Sequence, residues 1–178
     1  GSGGVSMAIS VQSEMATPPI LQFGTEEQKQ RYLTPAIRGE KIACLGITEP
    51  GAGSDVASIR TRAERVDGGW RINGSKIFIT NGVRADFCVL VARTGKPEDG
   101  AHGISLFLVD KDAPGYTVSR KLKKLGMHAS DTAELSFQDC EVPADALLGE
   151  LDKGFYHIMW ELQGERLIGS AGSIAGAE

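Results

Sequence analysis

The sequence predicts a mixed α+β protein in which an antiparallel β-barrel or sandwich is flanked by helical segments. Three observations carry this prediction. Residues 41–139 contain many short alternating runs separated by Gly, Asn and Asp turns, residues 5–38 carry two helical patterns, and residues 148–178 return to helical spacing. We therefore divide the chain into residues 1–40, 41–148 and 149–178, with the β domain in the middle.

Length and composition exclude several classes of protein. The chain has 178 residues, of which 41% are hydrophobic, and a formal net charge of −4 without a Lys/Arg-rich stretch. We expect neither nucleic acid nor a membrane as a partner, because there is no basic stripe, no apolar run of transmembrane length and no basic-then-apolar leader. Gly1-Ser2-Gly3-Gly4 fits a cloning scar or native sequence equally.

The three cysteines are widely spaced. Cys44 and Cys88 lie within apolar, strand-like runs, and Cys140 leaves an odd number. This pattern favours buried free thiols in a reducing compartment over disulfides, and no metal site is predicted.

Two helices are predicted before residue 41. Val5–Met15 has helical spacing until Thr17-Pro18-Pro19, where proline pushes the preceding residue out of the helical region. The next helix is expected to begin at Thr25, because Thr25 and Gln28 have the spacing of a capping box, and to end near Arg38 before a glycine. Its charged residues are interpreted as a solvent-exposed face.

The middle of the chain is predicted to consist of short strands. An apolar run with Ile42, Cys44, Leu45 and Ile47 precedes the strand-like segments Val56–Val66, Trp70–Ile72, Ser75–Thr80, Asp86–Arg93, Gly103–Asp110, Tyr116–Arg120 and Ala133–Cys140. Asn73-Gly74 is the strongest short hairpin signal, so we expect a tight turn there between two strands. Leu125–Leu135 is expected to be a loop that leads into a strand.

A helix is predicted from near Asp152 or Gly154 to the last residue. Gly169–Ala177 is made mostly of glycine, alanine and serine, and each interior glycine costs about 1 kcal/mol relative to alanine. This half of the helix therefore needs a closely packed partner, which no later segment supplies. We expect the chain to be a piece of a longer protein, with truncated helical domains on both sides of a whole β domain.

The stretch Cys44–Asp55 has the chemistry of an anion-binding turn. Gly51 and Gly53 carry no side chains, so successive N–H groups there can converge on an anion such as a pyrophosphate, with the Ser54 hydroxyl as a further donor. From the residues alone, a turn that only reverses the chain is the alternative, and turn or capping hydrogen bonds are the favoured interpretation of Thr48 and Ser54.

Two segments resemble the flavin-binding signatures of the acyl-CoA dehydrogenase family. They are Gly46-Ile47-Thr48-Glu49-Pro50-Gly51-Ala52-Gly53-Ser54-Asp55 and Lys76-Ile77-Phe78-Ile79-Thr80-Asn81-Gly82, in the family's order and at its spacing. The resemblance implies a β domain between two helical domains, with FAD as cofactor. It also implies that FAD is contacted by Leu45, Gly46, Ile47, Thr48, Glu49, Pro50, Gly51, Ala52, Gly53, Ser54, Phe78, Ile79 and Thr80.

Two of these residues have specific roles by resemblance. Thr80 matches a threonine that donates a hydrogen bond near the reactive nitrogen of the flavin, where a preorganised donor stabilises developing negative charge. A plain strand position explains this β-branched residue equally. Phe78 matches an aromatic position that is often tryptophan in the family, so it would cover a ring face with less area and without an indole N–H.

The segment Glu161-Leu162-Gln163-Gly164-Glu165-Arg166 places two carboxylates on one helix face. A surface charge cluster is the alternative. The pair Glu165-Arg166 resembles the substrate-contacting helix of the family, and in the isovaleryl and long-chain branches the glutamate that matches Glu165 is the catalytic base. Other branches place that base in the later helical domain.

The resemblance implies substrate contacts from Ser54, Tyr156, Gln163, Gly164, Glu165 and Arg166, and an aromatic core position is the alternative for Tyr156. The three histidines, His102, His128 and His157, are assigned no chemistry, because none has a partner at ligand spacing.

The implied reaction is α,β-dehydrogenation of an acyl-CoA thioester to the trans-2-enoyl-CoA, with electrons passed to an electron-transfer flavoprotein. The full-length protein is expected to be a homotetramer in the bacterial cytoplasm, or in the mitochondrial matrix if it is eukaryotic, and this piece alone is expected to be inactive. The alternatives are an acyl-CoA oxidase or flavin monooxygenase of the same superfamily, and a non-catalytic β-barrel binding module.

Overall fold

The computed structural model describes residues 3–177, and Gly1, Ser2 and Glu178 lie outside the described residues, as does half of the Gly1–Gly4 stretch. The helices are α1 (Gly3–Ser10), α2 (Pro18–Phe23), α3 (Glu26–Gln28), α4 (Thr34–Ile37) and α5 (Gly154–Ala177). The strands are β1 (Ala43–Gly46), β2 (Arg62–Val66), β3 (Gly69–Thr80), β4 (Phe87–Arg93), β5 (Ile104–Asp110), β6 (Tyr116–Lys121), β7 (Thr132–Pro143) and β8 (Leu147–Leu148). Short 3-10 segments lie at Val56–Ser58, Pro97–Gly103 and Ala144–Ala146.

The first helix is interrupted at the predicted place. α1 continues as a π-helical stretch, Val11–Ala16, and the chain then bends at Thr17. Pro18 begins α2, where a first-turn proline loses no helical hydrogen bond because its missing N–H would have had no partner. The interruption at Thr17 is therefore confirmed, but Thr17 keeps helical dihedral angles (φ −88°, ψ −29°), so the expected displacement of the residue before proline is wrong. The sequence also did not predict α2.

The predicted capping box at Thr25 is present. The Gln28 amide N–H donates to Thr25 Oγ1 at 3.2 Å, and the Thr25 N–H donates to Gln28 Oε1 at 3.0 Å. From α3 the helix continues through the π-helical residues Lys29–Leu33 into α4, and Gly39 follows with a φ of +74°. Both the start and the end of this helix were thus readable from the sequence.

The strands form one mostly antiparallel sheet, which confirms the predicted α+β class. The strand order is β6-β7-β3-β2-β4-β5-β8, and β1 pairs with β4 off this path. The parallel contacts are β1 with β4 and the single residue pair Arg62↔Arg93 between β2 and β4.

The hairpin predicted at Asn73-Gly74 is wrong. β3 runs without a turn from Gly69 to Thr80, and the turn lies earlier, at Asp67-Gly68, where Gly68 has a φ of +79°. Gly74 instead marks a register shift in the long β3–β7 ladder, and a Cβ there would lie 2.6 Å from Thr61 Cα. The Asn73 side-chain amide donates to the Asp139 carboxylate of β7, and its oxygen accepts from the Asp139 backbone N–H. Cross-strand pairing therefore overrides the local turn signal.

Buried residues form two apolar clusters on opposite faces of the sheet. One cluster is enclosed by strands and contains Trp70, Leu90 and Phe107, and the other lies between the sheet and the helices. Strand β4 contributes alternately to both, with Val89 on the helix side and Leu90 on the strand side. This double burial explains why β4 is apolar from Phe87 to Ala92.

The predicted C-terminal helix is confirmed as α5. Its first residue packs closely on β5, because a Cβ on Gly154 would lie 2.6 Å from Ser105 Cα. The later glycines are open: no atom lies within 4 Å of a Cβ built at Gly164, Gly169, Gly172 or Gly176. The close partner expected for this half is therefore not among residues 3–177.

The thiols of Cys44, Cys88 and Cys140 are free and buried, as predicted. Within the described range, no helix is long and apolar enough to cross a bilayer. Across the same residues, no three His, Cys, Asp or Glu side chains gather as a metal ion would require.

Candidate functional site

The two flavin-like segments lie side by side. After β1 ends at Gly46, the Thr48 carbonyl accepts a hydrogen bond from the Ile77 amide of β3 at 2.9 Å. One residue earlier, the Ile47 carbonyl accepts from Lys76 Nζ, also at 2.9 Å. Segments separated by about thirty residues in sequence are thus fixed to each other by both backbone and side chain.

The Pro-Gly turn of the first segment is closed on itself. Glu49 and Ala52 exchange two backbone hydrogen bonds, of 3.0 and 3.1 Å, around Pro50-Gly51. Ala52 is buried in the helix-side cluster and anchors the turn, whereas Gly51 and Gly53 are exposed and have no atom within 4 Å of a Cβ position. The backbone of this turn is therefore open to a ligand.

Two residues of the first segment, Gly46 and Glu49, make contacts inside the protein. A Cβ on Gly46 would lie 2.9 Å from Cys88 Sγ, so glycine is required there by packing. The Glu49 carboxylate points into the protein, where it accepts hydrogen bonds from Lys76 Nζ and from the amides of Arg60 and Thr61. Ligand contacts at Glu49 are thus left to its backbone.

The second segment contains a strained bulge. The β3–β7 register shifts between Lys76 and Ile79, and Phe78 adopts a φ of +63° with 66% of its surface exposed. A left-handed backbone costs a non-glycine residue about 1–2 kcal/mol. Ile79 is buried, whereas Thr80 at the strand end is half-buried. The bulge thus directs an exposed aromatic ring outwards, one residue after Ile77, whose amide donates to the Thr48 carbonyl.

The predicted substrate residues of α5 lie at different depths. Tyr156 is exposed, and its hydroxyl lies 3.2 Å from His102 Nδ1. Gln163, Gly164 and Arg166 are exposed as well, and Glu165 is half-buried. Burial raises the pKa of the Glu165 carboxyl, and the neighbouring Arg166 guanidinium opposes that rise.

Glu161 is not part of a surface charge cluster, which corrects the alternative considered from sequence. Only 2% of it is exposed, and neither carboxylate oxygen has a hydrogen-bond partner in the described chain. Burial, with a smaller contribution from Glu165, raises its pKa to about 8. The physical reason is that the first half of α5 lies on the sheet, where Ile158, one turn earlier, is fully buried.

Hydrogen bonds join the two segments, whereas α5 packs mainly on Val11–Ala16, α2 and β5 and shares the helix-side cluster with the first segment only. Ala52 and Ile158 belong to the same helix-side cluster, and Leu162 packs against it. His157, which was assigned no chemistry, is buried and stacked on Phe23 with ring centroids 3.9 Å apart.

Lys76 and Glu161 were not among the predicted ligand contacts, although their nearly complete burial distinguishes them from most other charged residues. The sequence did contain a signal for Lys76: this lysine stands at a strand position where the alternating pattern places an apolar, buried residue.

Comparison with known proteins agrees with this architecture. The sequence model described as acyl-CoA dehydrogenase, N-terminal domain, matches residues 1–40, and that described as acyl-CoA dehydrogenase, middle domain, matches residues 44–140. The mitochondrial long-chain specific acyl-CoA dehydrogenase of Mus musculus is 48% identical over 160 residues, which cover 89% of this chain and 37% of the mouse protein.

Solved structures agree as well. A probable acyl-CoA dehydrogenase from Mycobacterium abscessus superposes with a TM-score of 0.90 at 50% identity, over 94% of this chain and 44% of that one. A chain in the structure described as the electron transferring flavoprotein of Acidaminococcus fermentans superposes with a TM-score of 0.89 at 44% identity, over 92% of this chain and 43% of that one.

The fold and the matches together define a mixed α+β protein in which the turn segment after β1 is hydrogen-bonded to the bulged end of β3. The chain belongs to the acyl-CoA dehydrogenase family, a family of oxidoreductases. It spans between 37% and 46% of the length of the curated relatives it matches.

Proposed function

We propose that this chain is part of an FAD-dependent acyl-CoA dehydrogenase that forms a trans-2-enoyl-CoA and passes electrons to an electron-transfer flavoprotein. The observation that carries the proposal is the 2.9 Å hydrogen bond from the Ile77 amide to the Thr48 carbonyl, because it lays the two flavin-like segments together. We further propose a homotetramer for the full-length protein, in the bacterial cytoplasm or the mitochondrial matrix.

The residues present fit a flavin dinucleotide. The open backbone at Gly51 and Gly53, with no atom within 4 Å of either Cβ position, suits close approach of a pyrophosphate, and Ser54 is exposed next to it. Phe78 offers an exposed aromatic face, and Thr80 a hydroxyl donor at the strand end. FAD, when bound, supplies the acceptor for the electrons and the hydrogen that leave the β-carbon of the substrate.

Glu165 is proposed to be the base that removes the α-proton of the thioester. Its carboxylate takes that proton while the β-hydrogen leaves with two electrons, and a carbon–carbon double bond forms between the two carbons. Burial raises the pKa of Glu165, which moves this carboxylate towards the basicity that proton abstraction near neutral pH requires. Tyr156, Gln163, Gly164 and Arg166 are proposed to contact the substrate, beside Ser54.

Anaerobic titration of the full-length flavoprotein with a panel of acyl-CoA thioesters tests the proposal. Wild type is expected to lose its flavin absorbance with at least one thioester, and Glu165→Gln is expected to keep it, because the amide cannot accept the α-proton. Glu26→Gln, which changes an exposed carboxylate on α3, serves as the control and should behave as wild type.

The outcomes separate the parts of the proposal. Bleaching of Glu165→Gln at the wild-type rate would assign the base to another residue. If no thioester of the panel bleaches the wild-type flavin, the proposed dehydrogenase function is wrong. Hydrogen peroxide formed with substrate in air would favour the oxidase alternative over transfer to an electron-transfer flavoprotein.

A further inference from the structure

Lys76 is a fully buried charge at the junction of the two flavin-like segments. Its side chain is 0% exposed, and Nζ donates to the Ile47 carbonyl at 2.9 Å and to Glu49 Oε1 at 2.8 Å. Its stem passes next to Gly46, where a Cβ would be in ordinary van der Waals contact with Lys76 Cγ at 3.6 Å. The ammonium therefore links β3 to the first flavin-like segment, through the Ile47 backbone carbonyl and the Glu49 side chain.

Glu49 extends this bridge to a third segment. It is only 7% exposed, and it accepts hydrogen bonds from the Arg60 amide at 2.7 Å and from the Thr61 amide at 2.9 Å. The segment that follows the Ser54 turn is thus tied back to β3 through the same carboxylate. One buried ion pair is thus hydrogen-bonded to Ile47 and to residues 60–61, on the two sides of the segment that contains the turn at residues 50–54.

A second buried cation holds the other side of that segment. The Arg93 guanidinium donates to the carbonyls of Ala57 and Ile59, at 2.5 and 3.1 Å, and its backbone amide donates to the Thr61 carbonyl at 2.7 Å. Residues 57–61 are therefore held between two buried cations, and they follow the turn at residues 50–54, in which Ala52 is itself buried.

The energetics favour a positional role for the Lys76–Glu49 pair. Removing two charges from water costs more than their attraction commonly returns, and apolar residues of similar volume are often as stable. What an apolar pair cannot do is hold the Ile47 carbonyl and the Arg60 and Thr61 amides in fixed directions. Burial lowers the pKa of Lys76 to about 8 while Glu49 opposes the shift, so the ammonium persists near neutral pH.

We propose that Lys76 is a positioning residue for the cofactor: paired with Glu49, it fixes the turn at residues 50–54 against the Phe78 bulge, and flavin affinity depends on that fixed spacing. This inference rests on the proposed function. It assigns Lys76 no contact with substrate and no step in the reaction.

The test uses the full-length flavoprotein and three variants. Lys76→Met and Glu49→Gln each break the pair, and the double variant Lys76→Met/Glu49→Leu removes both charges. Lys111→Met, which breaks an exposed ion pair with Asp86, is the matched control. The measurements are the FAD dissociation constant, the visible circular dichroism of bound flavin, and the unfolding midpoint of the apoprotein.

The double variant decides the question, because it leaves no lone buried charge. We expect its unfolding midpoint to fall less than those of the single variants, because the Ile47 carbonyl and the Arg60 and Thr61 amides lose their partners but no lone charge is left buried. FAD should bind about tenfold more weakly and the flavin dichroism should change, since the preorganised geometry is lost while the protein still folds. The single variants should lose both stability and affinity, and if they fail to fold, the double variant still gives the answer.

Unchanged FAD affinity and unchanged dichroism in the double variant would overturn this inference and leave the proposed function intact. A wild-type protein that binds no FAD would overturn both. The Lys111→Met control is expected to match wild type in all three measurements.

Discussion

At the scale of single residues, Glu161 is the least satisfied polar side chain of α5. Both of its oxygens are buried without a partner, and burial raises its pKa from 4.5 to about 8. The folded chain therefore holds a proton at Glu161 that the unfolded chain releases above about pH 4.5. Because the folded state binds more protons across this window, the free energy of unfolding must fall as the pH rises from 4.5 towards 8.

Glu161→Gln is expected to flatten this dependence. Between pH 5 and 8 the wild-type free energy of unfolding should fall by up to about 1.4 kcal/mol per pH unit more than that of the variant, since one proton is involved. Urea unfolding of the chain at several pH values measures the difference, and Glu26→Gln, at an exposed site, should leave the slope unchanged. Parallel curves for Glu161→Gln and wild type would contradict the raised pKa.

At the scale of elements, Gln28 joins a helix to the sheet. Its side chain completes the capping box with Thr25 and also donates to the carbonyls of Asp145 and Leu147, at 2.8 and 2.9 Å. The Asp145 carbonyl precedes β8 and the Leu147 carbonyl belongs to its first residue, so the residue that completes the cap of α3 also binds the chain where it returns to the sheet. The capping motif was readable from two letters of sequence, whereas its distant partners were not.

Gln28→Leu is expected to lower the free energy of unfolding by about 2–4 kcal/mol, because it removes the cap acceptor and leaves two carbonyls without their donor. Lys29→Met is the neighbouring control. Its ion pair with Glu26 is exposed, so the cost should stay below about 0.5 kcal/mol. Urea denaturation compares the two, and equal effects would contradict a bridging role for Gln28.

The strands and helices that could be predicted are those specified by local signals. β4 and β5 follow from apolar runs, and α3 from Thr25 and Gln28. The prediction of a turn at Asn73-Gly74 was wrong because, although these two residues favour a hairpin turn, the pairing of β3 with β7 continues past them. The buried pair Lys76–Glu49 was out of reach for a related reason: its residues are far apart in sequence, and only the folded sheet brings them together.

At the scale of the whole molecule, the two apolar clusters share β4, so they are expected to melt together. Val89 and Leu90 are neighbours that face different clusters, and both are fully buried. Val89→Ala should lower the free energy of unfolding by about 1–3 kcal/mol and Leu90→Ala by about 2–5 kcal/mol, each through a lost contact and a cavity. In each variant, fluorescence and far-ultraviolet circular dichroism should report one coincident transition.

Separate transitions in either variant would contradict this coupling. They would mean that the layer of helices on the sheet can detach while the strand-enclosed cluster survives. A surface change such as Lys111→Met should leave both probes coincident and unshifted.

The parallel pairing of β1 with β4 has a consequence for biosynthesis. Ala43 pairs with Phe87 and Gly46 with Leu90, so about forty residues separate the two halves of this ladder. On the ribosome, the apolar segment of β1 emerges well before the strand that will cover its edge. During that interval the nascent chain carries an unprotected strand edge, and a chaperone that occupied this edge would protect the chain from aggregation until β4 is made.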